Sequence, residues 1–515
     1  MTPQEFIMKL LRANSALIKQ TLVVMSVGFI LPGVSRAADS AGEIEVQDVW
    51  GRSLNKVGVT LVDWDGYLAN PAVRLTLRPP ARAVFPVTLY LLADCPRLYF
   101  DDLGTRSSVG ADGPRKTLSA LDKDARPVVH LAIFPDRDGK DEDYTLTIRC
   151  TDSKGEHETL RVPIHVVDQD KKLPDPPPFK ITVDFSQDKT EFFKDARARA
   201  VVQRAADDWA YFFDGSGLDP VRAGDEATLI WSRQGFVSPT TVRNAAAYTG
   251  YLLYAYGIES AELRSGGEGS RQGGFQTIQG KSLHLRRSGG LEVEVRGNYN
   301  RLGWFYTTGD DDWWKSSNRG NEPNDLYSIV HHEIGHALIF NPAYPRFAAF
   351  KKAGRVDDPV VKAWLGTAPK IDRADHLDGT IDPASRRGAF GYEYHGDIPK
   401  RRWLITKTDL LVAQAIGYRL RPTSAFEPLT AKAKHEPKGT VGRSFQSALA
   451  IHGGLAPYFC SVAEGKLPPG LKIDSFTGEV TGVPSEAGVF DVKVQVRDHP
   501  KSEGVIIPMR IEIGR

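Results

Sequence analysis

The amino-acid sequence predicts a multidomain protein in which one α+β domain is flanked by two all-β, Ig-like sandwiches. Three observations predict it. Short alternating strands without helical periodicity fill residues 40–168, two central segments carry apolar residues at steps of three and four, and alternation returns over 439–515. Length agrees, because 515 residues exceed what one hydrophobic core organises and suggest about three domains. A content of 41% apolar and 25% charged residues is that of a soluble globular chain. The net charge of +2 gives no electrostatic pull towards nucleic acid or a membrane surface.

The first element is a targeting segment. Lys9, Arg12 and Lys19 precede the apolar run Leu22–Leu31, and the small-residue stretch Val34–Ala38 follows. This pattern reads as a secretory signal peptide over 1–37 with cleavage after Ala37. The run is short for a comfortable membrane span, which favours a cleaved signal over an uncleaved anchor, and no other stretch approaches the roughly 18 apolar residues needed. A secreted or periplasmic protein with no stable membrane span is expected.

Residues 40–168 form the first sandwich, with strands expected at Val73–Leu77, Val128–Ile133 and Leu160–Val167. Cys95 and Cys150 lie at strand ends of this exported region, and the sequence leaves open whether they form one disulfide or stay as thiols. The third cysteine, Cys460, has no partner in that scheme. Residues 169–178 are charged and then proline-rich, which excludes helix and inner strand and makes a stiff linker.

The central domain spans 179–425. A strand at Phe179–Phe185 leads to a helix over 190–213, where Ala198, Val201, Ala205, Trp209 and Phe212 make one apolar face. The strand Leu291–Val295 alternates and borders the expected cleft. Residues 332–336 read His-Glu-Ile-Gly-His. Leu326, Ile329, Val330, Ala337 and Leu338 give that segment an apolar face, and Asn324 or Asp325 supplies an N-cap.

On a helix, positions i and i+4 share a face, so His332 and His336 offer two imidazoles to one zinc ion. Glu333 stands one step round, placed to act as general base on a water. His331 points about 100° away and is read as a non-ligand. A bare HExxH also occurs by chance, but two histidines and a glutamate on a buried helix need a partner. The short continuation HExxHxxGxxH fails, because positions 339 and 342 are Ile339 and Pro342. The third ligand must come from farther on, and His376, His395 and Glu393 are the candidates.

The order Asp375–Gly379, Gly388–Gly396 and Trp403–Tyr418 resembles the leishmanolysin-like metzincins, a zincin family. Its sharp motifs lie within 325–420. The resemblance implies a zincin fold, peptidase activity with one catalytic Zn²⁺, and His376 as the third ligand. One departure is clear: Tyr394 and His395 follow Glu393 where the family carries the methionine of its Met-turn. Either Tyr394 or His395 replaces that apolar floor, or His395 is itself a ligand. Tyr392 and Tyr394 are read either as packing residues or as phenols stabilising an oxyanion. The acidic, aromatic loop Gly309–Trp314 is a solvated loop or a calcium site. Thr406 and Asp409 make a capping-box pair for a closing helix, which Gly417 stops.

In the last domain, Leu467–Pro484 resembles an Ig-like domain of bacterial surface and secreted proteins, and Val489–Val496 alternates as a half-buried strand. Such modules contact carbohydrate or protein at cell surfaces, or only space an enzyme. The expected function is a secreted zinc endopeptidase acting on protein or peptide. The rivals are an inactive zincin-fold adhesin and a zinc amidase acting on cell-wall peptides.

Overall fold

A computed structural model describes residues 43–101, 115–170, 179–216, 218–230, 239–260, 267–269, 277–278, 281–282, 285–297, 303–306, 324–391 and 402–515. The signal-peptide expectation, the loop Gly309–Trp314, and Tyr392, Glu393, Tyr394 and His395 lie outside the described residues. The described chain is mostly β-structure with few helices, arranged around several cores. Among the described residues no helix is long and apolar enough to cross a membrane.

The N-terminal part is a pair of sheets. One orders Glu45–Gln47, Val73–Arg78, Val128–Ile133 and Leu98–Asp101. The other orders Val59–Asp63, His157–Asp168, Glu142–Thr151, Val87–Ala93 and Arg115–Leu121. Alternation in sequence becomes alternation in burial, so Leu75, Leu77, Leu89, Leu91, Leu146, Ile148 and Ile164 meet in one core. Cys95 and Cys150 are buried free thiols, which decides against the disulfide. Register is the reason: Leu89 lies opposite Cys150 in an antiparallel pair. Cys95 therefore sits about 20 Å farther along at about 3.3 Å per residue, well beyond the roughly 7 Å a disulfide spans.

The central part is built on a parallel trio of strands, Lys180–Asp184, Gly250–Ser260 and Ser288–Gly297, edged by the antiparallel strand Gly267–Gly269. Two helices pack together against it, α1 (Ala196–Ala210) and α2 (Leu326–Leu338). α1 is shorter than the expected 190–213. Asp188 binds the amides of Thr190, Phe193 and Gly257, which folds 188–193 as a turn, and Asp195 caps the helix at Arg197 N. Beyond α2 come α3 (Pro345–Ala353), α4 (Pro359–Leu365) and α5 (Lys407–Ile416). α5 begins with the expected Thr406–Asp409 capping box and ends at Gly417, whose φ is +123°.

The C-terminal part packs Lys438–Thr440, Val505–Gly514, Gly488–Arg497 and Phe459–Glu464 in one sheet, with Phe445–Ser447, Val480–Gly482 and Leu471–Ile473 in another. Its β-structure begins at Thr430–Ala433, before the expected boundary of 439. That strand pairs with Leu449–His452, and Leu429, Ala431 and Ala433 pack on the same core.

Candidate metal centre

α2 carries the HExxH segment, and its first turn is fixed from outside. Asp325 accepts from Ser328 N at 3.3 Å and Ser328 Oγ at 2.6 Å. Its other oxygen takes Arg402 Nη2 at 2.7 Å, a charge pair with no exposure to solvent at Arg402. The helix is buried along most of its length, so His332 and Glu333 are 6% and 7% exposed. His332 and His336 face the same way, with ring centroids 4.8 Å apart.

His376 arrives from a turn between the short paired strands Lys370–Ile371 and Leu377–Asp378. Asp372 shapes that turn. One carboxylate oxygen accepts from Ala374 N at 2.8 Å and His376 N at 2.9 Å, and the other lies 3.2 Å from His376 Nδ1. Asp375, between them, adopts the left-handed φ of +72°. His376 Nε2 then stands 3.2 Å from both His332 Nε2 and His336 Nε2.

That trio fits a metal. His336 Nδ1 donates to Phe340 O at 3.0 Å and His376 Nδ1 donates to Asp372, so both rings are held with bare Nε2 lone pairs. Nitrogens 3.2 Å apart are joined either by a shared proton or by a metal cation between them. Imidazole nitrogens about 2.05 Å from a tetrahedral zinc stand about 3.3 Å apart. The donor set contains no thiolate, which suits an open catalytic site better than a closed structural one.

His331 takes no part in the trio. Its ring lies between Trp209 and Tyr327, at 5.2 and 5.3 Å, and its carbonyl accepts from Trp209 Nε1. Burial pushes the His331 pKa down to about 3, so the ring packs as a neutral group.

Three site features escaped the sequence reading. Phe390 stacks on His332 at 4.5 Å with an interplanar angle of 2°, meets His336 edge-on at 4.8 Å and stacks on Phe340 at 3.9 Å. It forms an apolar floor beneath the histidines. Two glycines make room for it: a Cβ at Gly335 would collide with the Phe390 ring, and one at Gly391 with the Cγ–Cδ2 edge of the His376 ring. Asp409, the capping residue of α5, also accepts from Phe390 N at 2.9 Å and so pins the floor. The third is Asp372 itself. The spacing Asp372-x-x-x-His376 and the glycines at 335 and 391 were the available signals.

A second group of candidate metal ligands, the acidic Asp63, Asp136 and Asp168, lies in the N-terminal sandwich. Arg97 pairs with Asp136 and lies 3.6 Å from Asp63, so two of the three carboxylates already have a cation.

Comparison with known proteins bears on another part of the chain. Residues 427–508 match the family described as Putative Ig domain. The C-terminal part is Ig-like. No curated protein matches the chain. Among solved structures, a putative α-galactosidase/melibiase from Bacteroides fragilis is 25% identical, with 18% of this chain and 19% of that chain covered and a TM-score of 0.16. A second putative α-galactosidase from the same organism is 26% identical over 18% of each chain, with a TM-score of 0.15. The periplasmic chaperone SfaE is 7% identical over 40% of this chain and 85% of that chain, with a TM-score of 0.14. This chain thus spans about a fifth of the length of the galactosidase structures, and none of these likenesses carries an argument about function.

Proposed function

We propose that the protein is an exported, zinc-dependent endopeptidase with a zincin-type central domain, in which His332, His336 and His376 hold one Zn²⁺. The observation that carries the reading is that His376 Nε2, forty residues on, lies 3.2 Å from the Nε2 atoms of both HExxH histidines, with the three ligand atoms within 4.8 Å of one another. When bound, zinc supplies a Lewis acid that polarises a carbonyl and acidifies water. Glu333 then acts as general base, taking a proton from the attacking water and returning it to the leaving amine. Phe340 O and Asp372 keep the ligand rings in the metal-binding tautomer. The edge strand Gly267–Gly269 lies against α2 and, among the described residues, pairs on one side only. An extended peptide is the substrate whose backbone such an edge recognises.

The resemblance to leishmanolysin-like metzincins supports the same assignment through His376 and the Gly388–Gly391 segment, while Phe390 occupies the place of an apolar floor. The Ig-like parts are read as contacts to a cell surface or carbohydrate. The test is zinc analysis together with casein cleavage by the parent chain and Glu333→Gln. Stoichiometric zinc in both and cleavage only by the parent are expected. Full cleavage by Glu333→Gln, or no zinc in the parent, refutes the reading. Zinc with cleavage of cell-wall peptides but not casein would move it to an amidase.

A further inference from the structure

We infer that the N-terminal sandwich is a permanent wall of the central domain that holds the first turn of α2, and that it is not a removable segment. The two parts share a core: Trp64 and Leu68 lie in the same buried cluster as Trp209, Val330 and Ile334. Main-chain bonds cross between them, from Ala69 N to Ile405 O at 2.8 Å and from Ala72 N to Ala384 O at 2.9 Å. The buried Asp65 carboxylate accepts from Ser424 N at 2.6 Å, and Ser424 Oγ in return accepts from Asp65 N at 3.0 Å.

Two polar routes run from the sandwich to the start of α2. In the first, Arg137 lies 4.4 and 4.6 Å over the rings of Tyr67 and Tyr211 and reaches Asp208 at 3.6 Å. Asp208 is fully buried on α1 and also accepts from Arg204 at 3.2 Å and from the Tyr327 hydroxyl at 2.6 Å. Tyr327 is the second residue of α2. In the second, the buried Arg387 lies against the sandwich rings Tyr99 and Phe134 and donates to Arg402 O at 2.8 Å. Arg402 in turn pairs with Asp325, the cap of α2. Departure of the sandwich would strip a guanidinium from a buried carboxylate and wet the shared core, changes that a detachable segment avoids.

The inference rests on the proposed reading only for the metal, and its primary readout needs none. A specific protease sequence placed within 171–178 of the full chain is cut, and the product is run by size exclusion in native buffer. The two fragments should co-elute at micromolar concentration and part only in denaturant, whether or not the parent binds zinc. If the sandwich elutes alone and leaves a folded remainder, the inference is overturned. Should the remainder aggregate on separation, dependence on the sandwich is shown directly. Amide exchange in uncut Arg137→Met offers an independent check. The first turn of α2 should exchange about tenfold faster, as loss of an ion-pair partner from a buried carboxylate implies, with the Gly488–Arg497 strand unchanged. Unchanged exchange at both sites would count against the inference.

Discussion

The tightest test of the metal centre is a single methyl group at Gly391. Its φ of +83° is left-handed, and a Cβ built there would collide with the Cγ–Cδ2 edge of the His376 ring. Ordinary carbon–carbon contact is about 3.5 Å, so the ring would have to retreat by more than about 1 Å. Metal–ligand distances tolerate about ±0.2 Å, so that displacement removes His376 from the trio or forces the turn to move. The left-handed backbone adds about 1–2 kcal/mol for any residue with a Cβ. Gly391→Ala should therefore lower zinc affinity by about 100-fold or more, close to the effect of His376→Ala, with a smaller loss of stability. Affinity is read by competition with a chromophoric chelator, and folding by circular dichroism. A folded Gly391→Ala protein that binds zinc within about twofold of the parent would refute the packing argument.

Other expectations follow from the same geometry. Asp372→Asn presents an amide donor to His376 Nδ1, favours the wrong tautomer and should cost about 10–100-fold in zinc affinity, measured by the same titration. Phe390→Ala empties the floor beneath His332 and should lower unfolding stability by about 3–5 kcal/mol in urea, while Phe390→Met should lose far less. Burial raises the Asp409 carboxyl from 3.8 to about 7, so the folded protein holds this proton more tightly than the unfolded chain. Its contribution is complete below about pH 4 and is lost as pH rises through about 7. Asp409→Asn should flatten that part of the stability–pH curve, and an unchanged slope in thermal unfolding would show the group ionises freely.

Local pattern carried much of the architecture. Alternation fixes which strand residues face a core, so Val87–Ala93 buries every second side chain as its sequence requires. The 3.6-residue period places His332 and His336 on one face, and Asp325 and Thr406 mark helix starts because their side chains satisfy amides within the next turn. Resemblance then selected His376 from three candidates that spacing alone left equal.

Long-range geometry lay beyond that reach. The cysteine question turned on strand register, which the positions of Cys95 and Cys150 in sequence do not reveal. Phe390 looks like any core aromatic until chain packing lays it flat beneath His332. The two routes from the sandwich to α2 join residues far apart in sequence, such as Arg137 with Asp208 and Asp208 with Tyr327, and no local period encodes such pairings. By itself the sequence determined the elements, their caps and the two-histidine face of one helix, because those depend on interactions within a few residues. Only the tertiary structure decided which distant side chains share a point in space, because that depends on how whole sheets and helices bury one another.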